Sequence, residues 1–262
     1  MNQAENGFTL IELAIVLVII GLLIGGVLFG KDMIAASEVR ATVSQLDKFR
    51  SAVNAFRLKY NELPGDMRPS KAAQFGFFQI TGNCGTTCLF ANQLIDANGP
   101  PSFIQEYLVF WRHLSQAGLI ETLDSNLLRA SDGESSSQPE GYENGLMPKS
   151  KMGHYWYVTP SYRFATDGSS SVIGGNDFFT WDYLSPVQAF GLDNKIDDGK
   201  PNSGKTVDMQ GPEWGYWAAT GQDGNCTYGG TDQYAREALY NIDPATGGST
   251  GGACRLSINA GF

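Results

Sequence analysis

Between Glu12 and Lys31 the chain carries no charge: the 18 residues 13–30 read LAIVLVIIGLLIGGVLFG, and Phe8, Leu10 and Ile11 extend the apolar run towards the N-terminus past one carboxylate, Glu12. About 20 apolar residues let a helix cross a bilayer, so this segment is long enough to span. A carboxylate near the centre of such a helix costs about 2.5–3.5 kcal/mol on insertion scales, which makes an intramembrane glutamate a functional residue by default. A cleaved secretory signal fits poorly. The stretch before Phe8 has no Lys or Arg, and IAAS at 34–37 is a weak cleavage site.

The helical pattern continues past the apolar run. Val39, Val43, Leu46, Phe49, Val53, Phe56 and Tyr60 recur at spacings of three and four, while Glu38, Arg40, Asp47, Lys48, Arg50, Arg57 and Lys59 lie on the other faces. No proline interrupts the pattern before Pro64 and Gly65. The spacing predicts one helix from about Thr9 to Lys59, roughly 75 Å long at 1.5 Å per residue. Its first half is built for lipid and its second half for packing on a globular head.

A sequence in the order Gly7-Phe8-Thr9-Leu10-Ile11-Glu12, followed by an unbroken apolar helix, resembles the class III leader and N-terminal helix of type IV pilins and type II secretion pseudopilins. The resemblance implies a leader at 1–7, cleavage after Gly7 by a prepilin peptidase, N-methylation of Phe8, and a helix at 8–60 whose transmembrane part is 8–30. It implies that Glu12 acts in subunit assembly. The head at 61–262 would lie in the periplasm, with the chain anchored once in a bacterial inner membrane and later held in a periplasmic pseudopilus or a surface pilus. The implied partners are other subunits, the peptidase and an inner-membrane assembly platform. This leader departs from the family pattern in carrying Glu5 and no basic residue. LPGDM at 63–67, HLSQAGLI at 113–120 and LSPVQAFGLDNKIDDGKPNSGKT at 184–206 extend the resemblance, less specifically, to large pilin-like secretion components.

Beyond residue 63, SFIQEYLVFWRHLSQAG at 102–118 has Phe103, Tyr107, Phe110, Trp111 and Leu114 at helical spacing, and Ser185-Pro186 opens a short helix with an N-cap and a proline at the first position. HYWYVTPSYRFAT and NDFFTWDYL read as strands, with PEWGYWAAT and ACRLSINAGF as weaker ones. Residues 124–151 read as a long surface loop. The fold class is α+β: a long N-terminal helix packed on a loop-rich antiparallel sheet.

The net charge of -9 argues against a phosphate-binding surface, so nucleic acid is not expected as a partner. Cys84, Cys88, Cys226 and Cys254 are an even set downstream of a membrane segment, which suits disulfides. Three pairings are open. Cys84–Cys88 would pinch the NCGTTC turn, and Cys226–Cys254 would close a loop worth roughly 3 kcal/mol in the chain-entropy model. Zinc is the rival, but paired C-x2-C knuckles are missing and His113 and His154 lie far away in sequence.

Three motifs invite a chemical reading. Residues 199–206, GKPNSGKT, satisfy the P-loop pattern but lack a buried strand before and a helix after, so nucleotide binding is not expected. GGSTG at 247–251 matches a nucleophile elbow, yet no histidine follows it. No nucleophile and base pair stands out, so no enzymatic activity is expected. Asn194, Asp197, Asp198 and Gly199 form an acidic turn with hard oxygen donors suited to calcium, Asp197 and Asp198 being the candidate ligands and Asp223-Gly224 a weaker one. An ordinary Asp-Gly turn competes with that reading, Ile196 breaks the EF-hand pattern, and no other cofactor is indicated. The alternative to a filament subunit is a membrane-anchored extracytoplasmic binding module, with the aromatics of HYWY, WDY and WGYW as a ligand platform.

The Gly7–Phe8 junction generates the first prediction. N-terminal sequencing of the mature protein is expected to start at Phe8, and Gly7 replaced by a bulky residue is expected to leave full-length chain in the membrane. A mature terminus elsewhere would contradict the leader reading.

Overall fold

The structure, a computed structural model, describes residues 9–79, 90–95, 106–123, 147–164, 170–180, 184–201, 203–208, 226–228, 239–240, 242 and 254–262. Helix α1 spans Leu10–Tyr60, α2 Pro69–Phe75, α3 Glu106–Gln116 and α4 Pro186–Ile196. Strands β1 (Trp156–Phe164), β2 (Ser170–Thr180), β6 (Leu256–Asn259) and β3 (Thr206–Asp208) form an antiparallel sheet in the order β1-β2-β6-β3. A second ribbon pairs β4 (Thr227–Tyr228) with β5 (Leu239–Tyr240). The fold is α+β, a long helix and shorter helices on a small antiparallel sheet.

One helix of 51 residues forms because both ends are capped and nothing inside breaks it. Thr9 is the N-cap. At the other end Asn61 turns left-handed with φ 53°, and its amide donates to the Arg57 carbonyl at 2.8 Å. Arg57 and Lys59 in the last turn complement the helix dipole. Gly65 follows at φ +84°, and a Cβ there would lie 2.7 Å from the Glu106 carbonyl oxygen and 3.1 Å from Phe110 Cβ. Glycine at 65 therefore allows the chain leaving α1 to lie directly on α3.

The predicted stripe is the floor of the core. Leu46, Phe49, Val53, Phe56 and Tyr60 are buried, together with Thr42 and Ala52, while Val43 is partly covered. Phe49 meets Trp111 of α3 edge-on at 4.8 Å and Phe178 of β2 at 6.0 Å, and Trp156 of β1 meets Phe178 at 6.3 Å. Polar contacts fix the helix against the sheet. Trp156 Nε1 donates to Gln45 Oε1 at 3.0 Å, and Arg50 donates to the carbonyls of Asn259 at 2.7 Å and Ala260 at 3.3 Å, at the end of β6.

Of the segment 102–118 the described part forms α3 over Glu106–Gln116, and residues 102–105 lie outside the described residues. In α4 the expected cap forms: Ser185 Oγ accepts from the Gln188 amide while Gln188 Oε1 accepts from the Ser185 amide, and Pro186 occupies the first position. Pro160 sits in β1 beside a register shift. Among the described residues β1 is an edge strand, where a proline is tolerated. Strand β2 begins earlier than predicted, at Ser170, and ends at Thr180; Leu184 instead makes an isolated bridge with Cys254. The proposed strand at 212–220 and most of the loop at 124–151 lie outside the described residues. Cys226 and Cys254 form a disulfide with a Cα–Cα distance of 5.1 Å, joining β4 to the entry of β6; Cys84 and Cys88 lie outside the described residues.

His113 has a structural place. It is buried against Phe56 and Phe77, its Nδ1 accepts from the Gly65 amide at 3.1 Å, and Nε2 lies 2.8 Å from the Phe78 carbonyl oxygen, so the proton resides on Nε2. Burial pulls its pKa down to about 4, opposed by the Phe78 carbonyl and assisted by the Arg112 charge. His154, also buried, is pulled down to about 3 by burial. Folding therefore selects neutral imidazoles. The unfolded chain takes up protons near pH 6.5 while the folded one resists until about pH 4 or below, so both histidines cost stability as pH falls through that window. Thermal melts are expected to show the head losing stability between pH 6.5 and 4, with a shallower slope in His113→Gln. An unchanged slope would contradict this assignment.

Candidate functional site

At the N-terminus of α1, Thr9 has φ -78° and ψ 152°, extended backbone that lets its side chain turn back over the first helical turn. Thr9 Oγ1 accepts from the Glu12 amide at 3.4 Å and donates to Glu12 Oε2 at 2.7 Å, while the Thr9 amide donates to the same oxygen at 2.8 Å. This is a reciprocal capping box. The carboxylate is thereby folded towards the positive end of the helix dipole. Every residue from Leu10 to Phe29 is exposed, including Leu10 at 88% and Leu22 at 74%, so none of the described part of the head covers this half of α1. It is long and apolar enough to cross a membrane. Gly21, Gly25, Gly26 and Gly30 meet nothing within 4 Å of a Cβ placed on them. Their smallness serves no contact among the described residues. Gly7 and Phe8 lie outside the described residues.

Residues 2–28 match the prokaryotic N-terminal methylation motif. The chain carries the N-terminal signature of type IV pilins and pseudopilins. The matched segment includes Gly7, Phe8 and Glu12 and ends within the exposed half of α1. No curated protein and no solved structure shows significant similarity to the chain. The signature and the apolar helix together fit membrane anchoring of a pilin-type precursor handled by a prepilin peptidase.

The acidic turn in the head of this pilin-type chain is larger than its sequence suggested. Asp193, one helical turn before Asp197, joins Asp197 and Asp198: one oxygen from each carboxylate lies within 4.8 Å of the others. Asp193 is fully buried where α4 packs, and its Oδ2 accepts from the Tyr240 hydroxyl of β5 at 3.0 Å. Burial pushes its carboxyl up to about 7; the Tyr240 hydroxyl and the Gly199 amide oppose the shift, and the charges of Asp198 and Asp197 add to it. Asp198 is exposed to solvent chemistry but held by its loop. Its Oδ1 accepts from the Lys200 amide at 2.9 Å and its Oδ2 from Ser203 Oγ at 2.6 Å, and the Ser203 hydroxyl foremost draws its pKa down. Asp197 accepts from the Lys205 amide. Asn194 lies beside Gly199, whose Cβ would sit 3.3 Å from Asn194 Oδ1, and is not in the carboxylate cluster. Asp223 lies outside the described residues.

Residues 199–206 run from the end of α4 into β3, the reverse of the strand-to-helix order a P-loop needs. Ser150 and His154, four residues apart in a turn, do approach each other: Ser150 Oγ lies 3.0 Å from His154 Nδ1. The sequence reading had found no such pair. Both residues are buried, the Met152 amide also donates to Ser150 Oγ, and the imidazole faces the Trp156 ring edge-on at 4.5 Å. In the aromatic run HYWY, Trp156 and Tyr157 are buried in the core. WDY at 181–183 and WGYW at 214–217 lie outside the described residues.

Two residues of the sites described here were not singled out by sequence reasoning. Thr9 carried a signal, since a threonine three residues before a glutamate at the start of an apolar helix is a capping-box pattern. Asp193 also carried one: it precedes Asp197 by four residues on a helix, which brings both carboxylates to one face.

Proposed function

We propose that this chain is a structural subunit of a type IV pilus or a type II secretion pseudopilus, made as a precursor, cut after Gly7, N-methylated at Phe8 and assembled through α1. The observation that supports this reading most directly is the methylation motif at 2–28 lying on a helix whose first half is uncovered and whose second half is the floor of a folded head. The chain waits in the inner membrane with its head in the periplasm and passes to a filament when neighbouring helices replace lipid around residues 10–30. Catalysis forms no part of this role. A ligand platform made of HYWY finds no support in the burial of Trp156 and Tyr157.

Glu12 gives the assembly step its register. In the free subunit its carboxylate is occupied by Thr9. Cleavage would leave Phe8 as a cationic amine, and in a helix bundle of low dielectric the amine of one subunit and Glu12 of another attract far more strongly than in water. One axial offset pairs both charges, and other offsets leave a buried charge unmet. Glu12→Gln is expected to leave cleavage, membrane insertion and head folding intact while reducing incorporation into filaments at least tenfold. Immunoblots of sheared filament and membrane fractions measure this, and normal incorporation would show that the carboxylate has no part in assembly.

A further inference from the structure

We infer that His113 is an acid-released clasp: its imidazole ties both ends of the 65–78 segment, which carries α2, onto α3, and a second proton on that ring frees the segment while the rest of the head stays folded. The inference is independent of the filament role proposed above. Its basis is the polarity of two hydrogen bonds. The Gly65 amide donates to Nδ1 at 3.1 Å, and Nε2 donates to the Phe78 carbonyl oxygen at 2.8 Å. One ring on α3 thus grips the chain before α2 and again after it. Only the neutral ring with its proton on Nε2 makes both bonds. A proton on Nδ1 sets a donor against the Gly65 donor, and that end of the clasp is lost.

The surroundings leave little room to adjust. Gly65 lies so close on α3 that a Cβ there would be 2.7 Å from the Glu106 carbonyl oxygen. The imidazole lies parallel to the Phe56 ring at 6.1 Å and tilted to Phe77 at 5.4 Å. Phe78 is held twice more, by its amide donating to Gln116 Oε1 at 3.0 Å and by the Arg112 guanidinium 3.9 Å from its ring centroid.

Among the described residues no carboxylate is free to receive the charge of an imidazolium. On α3 the adjacent charge is Arg112, of the same sign, and Glu106 stands seven residues back, about 10.5 Å along the helix. Glu62 is engaged by Arg68 at 2.8 Å and Lys71 at 3.5 Å, and Asp66 accepts from the amides of Asn92 and Gln93. Phe56 of α1 and Phe77 after α2 are uncharged; their rings attract a cation weakly and do not replace the hydration that burial removes. Burial foremost holds the closed ring's pKa at about 4, with the Phe78 carbonyl opposing the shift and the Arg112 charge adding to it. An imidazole released to water titrates near 6.5. The open form therefore binds the proton more tightly, and opening becomes more favourable as pH falls from 6.5 to 4.

The segment can leave alone because little anchors it. Between Gly65 and Phe78 the buried apolar side chains are Met67, Ala72 and Phe77, and the ion pairs to Glu62 involve an Arg68 that is largely exposed. Segments with few buried apolar contacts open at lower free energy than a core. Opening uncovers Phe56, Tyr60 and Phe77, an aromatic surface about 45 Å along α1 from Gly30.

The test is hydrogen–deuterium exchange on the full chain in detergent at pH 7 and pH 5, with and without low urea. The amides of 66–78 are expected to exchange through an opening that urea does not accelerate, and their protection, corrected for the intrinsic rate, is expected to fall about 20-fold between pH 7 and pH 5. The amides of β1 and β2 are expected to exchange only through urea-dependent opening. In His113→Gln the pH response of 66–78 should disappear, while β1 and β2 still respond through His154. Should that variant fold poorly, nitrogen shifts of the His113 ring in the unaltered chain decide: protonation of the ring must track the loss of protection in 66–78. Exchange of 66–78 with the urea dependence of β1 and β2 would overturn the inference. So would a pH response that persists in His113→Gln, or a ring that takes up its second proton while 66–78 stays protected.

Discussion

The head is organised around one apolar stripe on the second half of α1. Leu46, Phe49, Val53, Phe56 and Tyr60 present a buried surface to which α3 and β2 bring aromatic rings, Trp111 and Phe178 both meeting Phe49. Burying these five side chains stabilises the head at about 25 cal/mol per Å² of apolar surface removed from water. The polar contacts then choose the orientation. Gln45 and Arg50 reach indole, loop and strand carbonyls on either side of the stripe, so the sheet docks in one register on the helix.

The same helix imposes an opposite requirement on its first half. Residues 13–29 are apolar and exposed, and water would oppose leaving such a surface open. A continuous helix joins the two halves, so the head is rigidly coupled to whatever environment the first half enters, whether lipid or the helices of other subunits. The capping box at Thr9 and Glu12 completes this arrangement. It satisfies one carboxylate locally at low cost and leaves it within reach of a new partner at the helix terminus.

Much of this was legible in the sequence because period and capping are local properties. The apolar run, the stripe from Val39 to Tyr60 and the Ser185-Pro186 start of α4 correspond to α1 and α4 within a residue or two at their ends. The strands were harder. β1 and β6 showed the β-branched and aromatic composition of strands, but β2 extends back through Ser170, Gly174 and Gly175, residues that propensity alone assigns to a loop. Tertiary pairing with β1 holds them extended. β3, β4 and β5 are two or three residues long and exist only through their partners. The acidic cluster was half visible: Asp197 and Asp198 stood out as neighbours, whereas Asp193 required knowing that α4 runs to Ile196 and that β5 brings Tyr240 to its side chain. The approach of Ser150 to His154 arises from a turn closed by the Lys149–Tyr155 bridge, a contact that no periodicity announces.

The central claim is that one unbroken helix serves lipid with its first half and the head's core with its second. Hydrogen–deuterium exchange on the full chain in a bilayer nanodisc tests it most directly. The amides of 42–60 are expected to exchange as slowly as those of β1 and β2, because they open only when the head unfolds, and the amides of 14–30 are expected to be protected by the membrane, with no fast-exchanging break between the two halves. Fast exchange across 46–56 while the sheet remains protected would show that the head folds without the helix, and the account would be wrong.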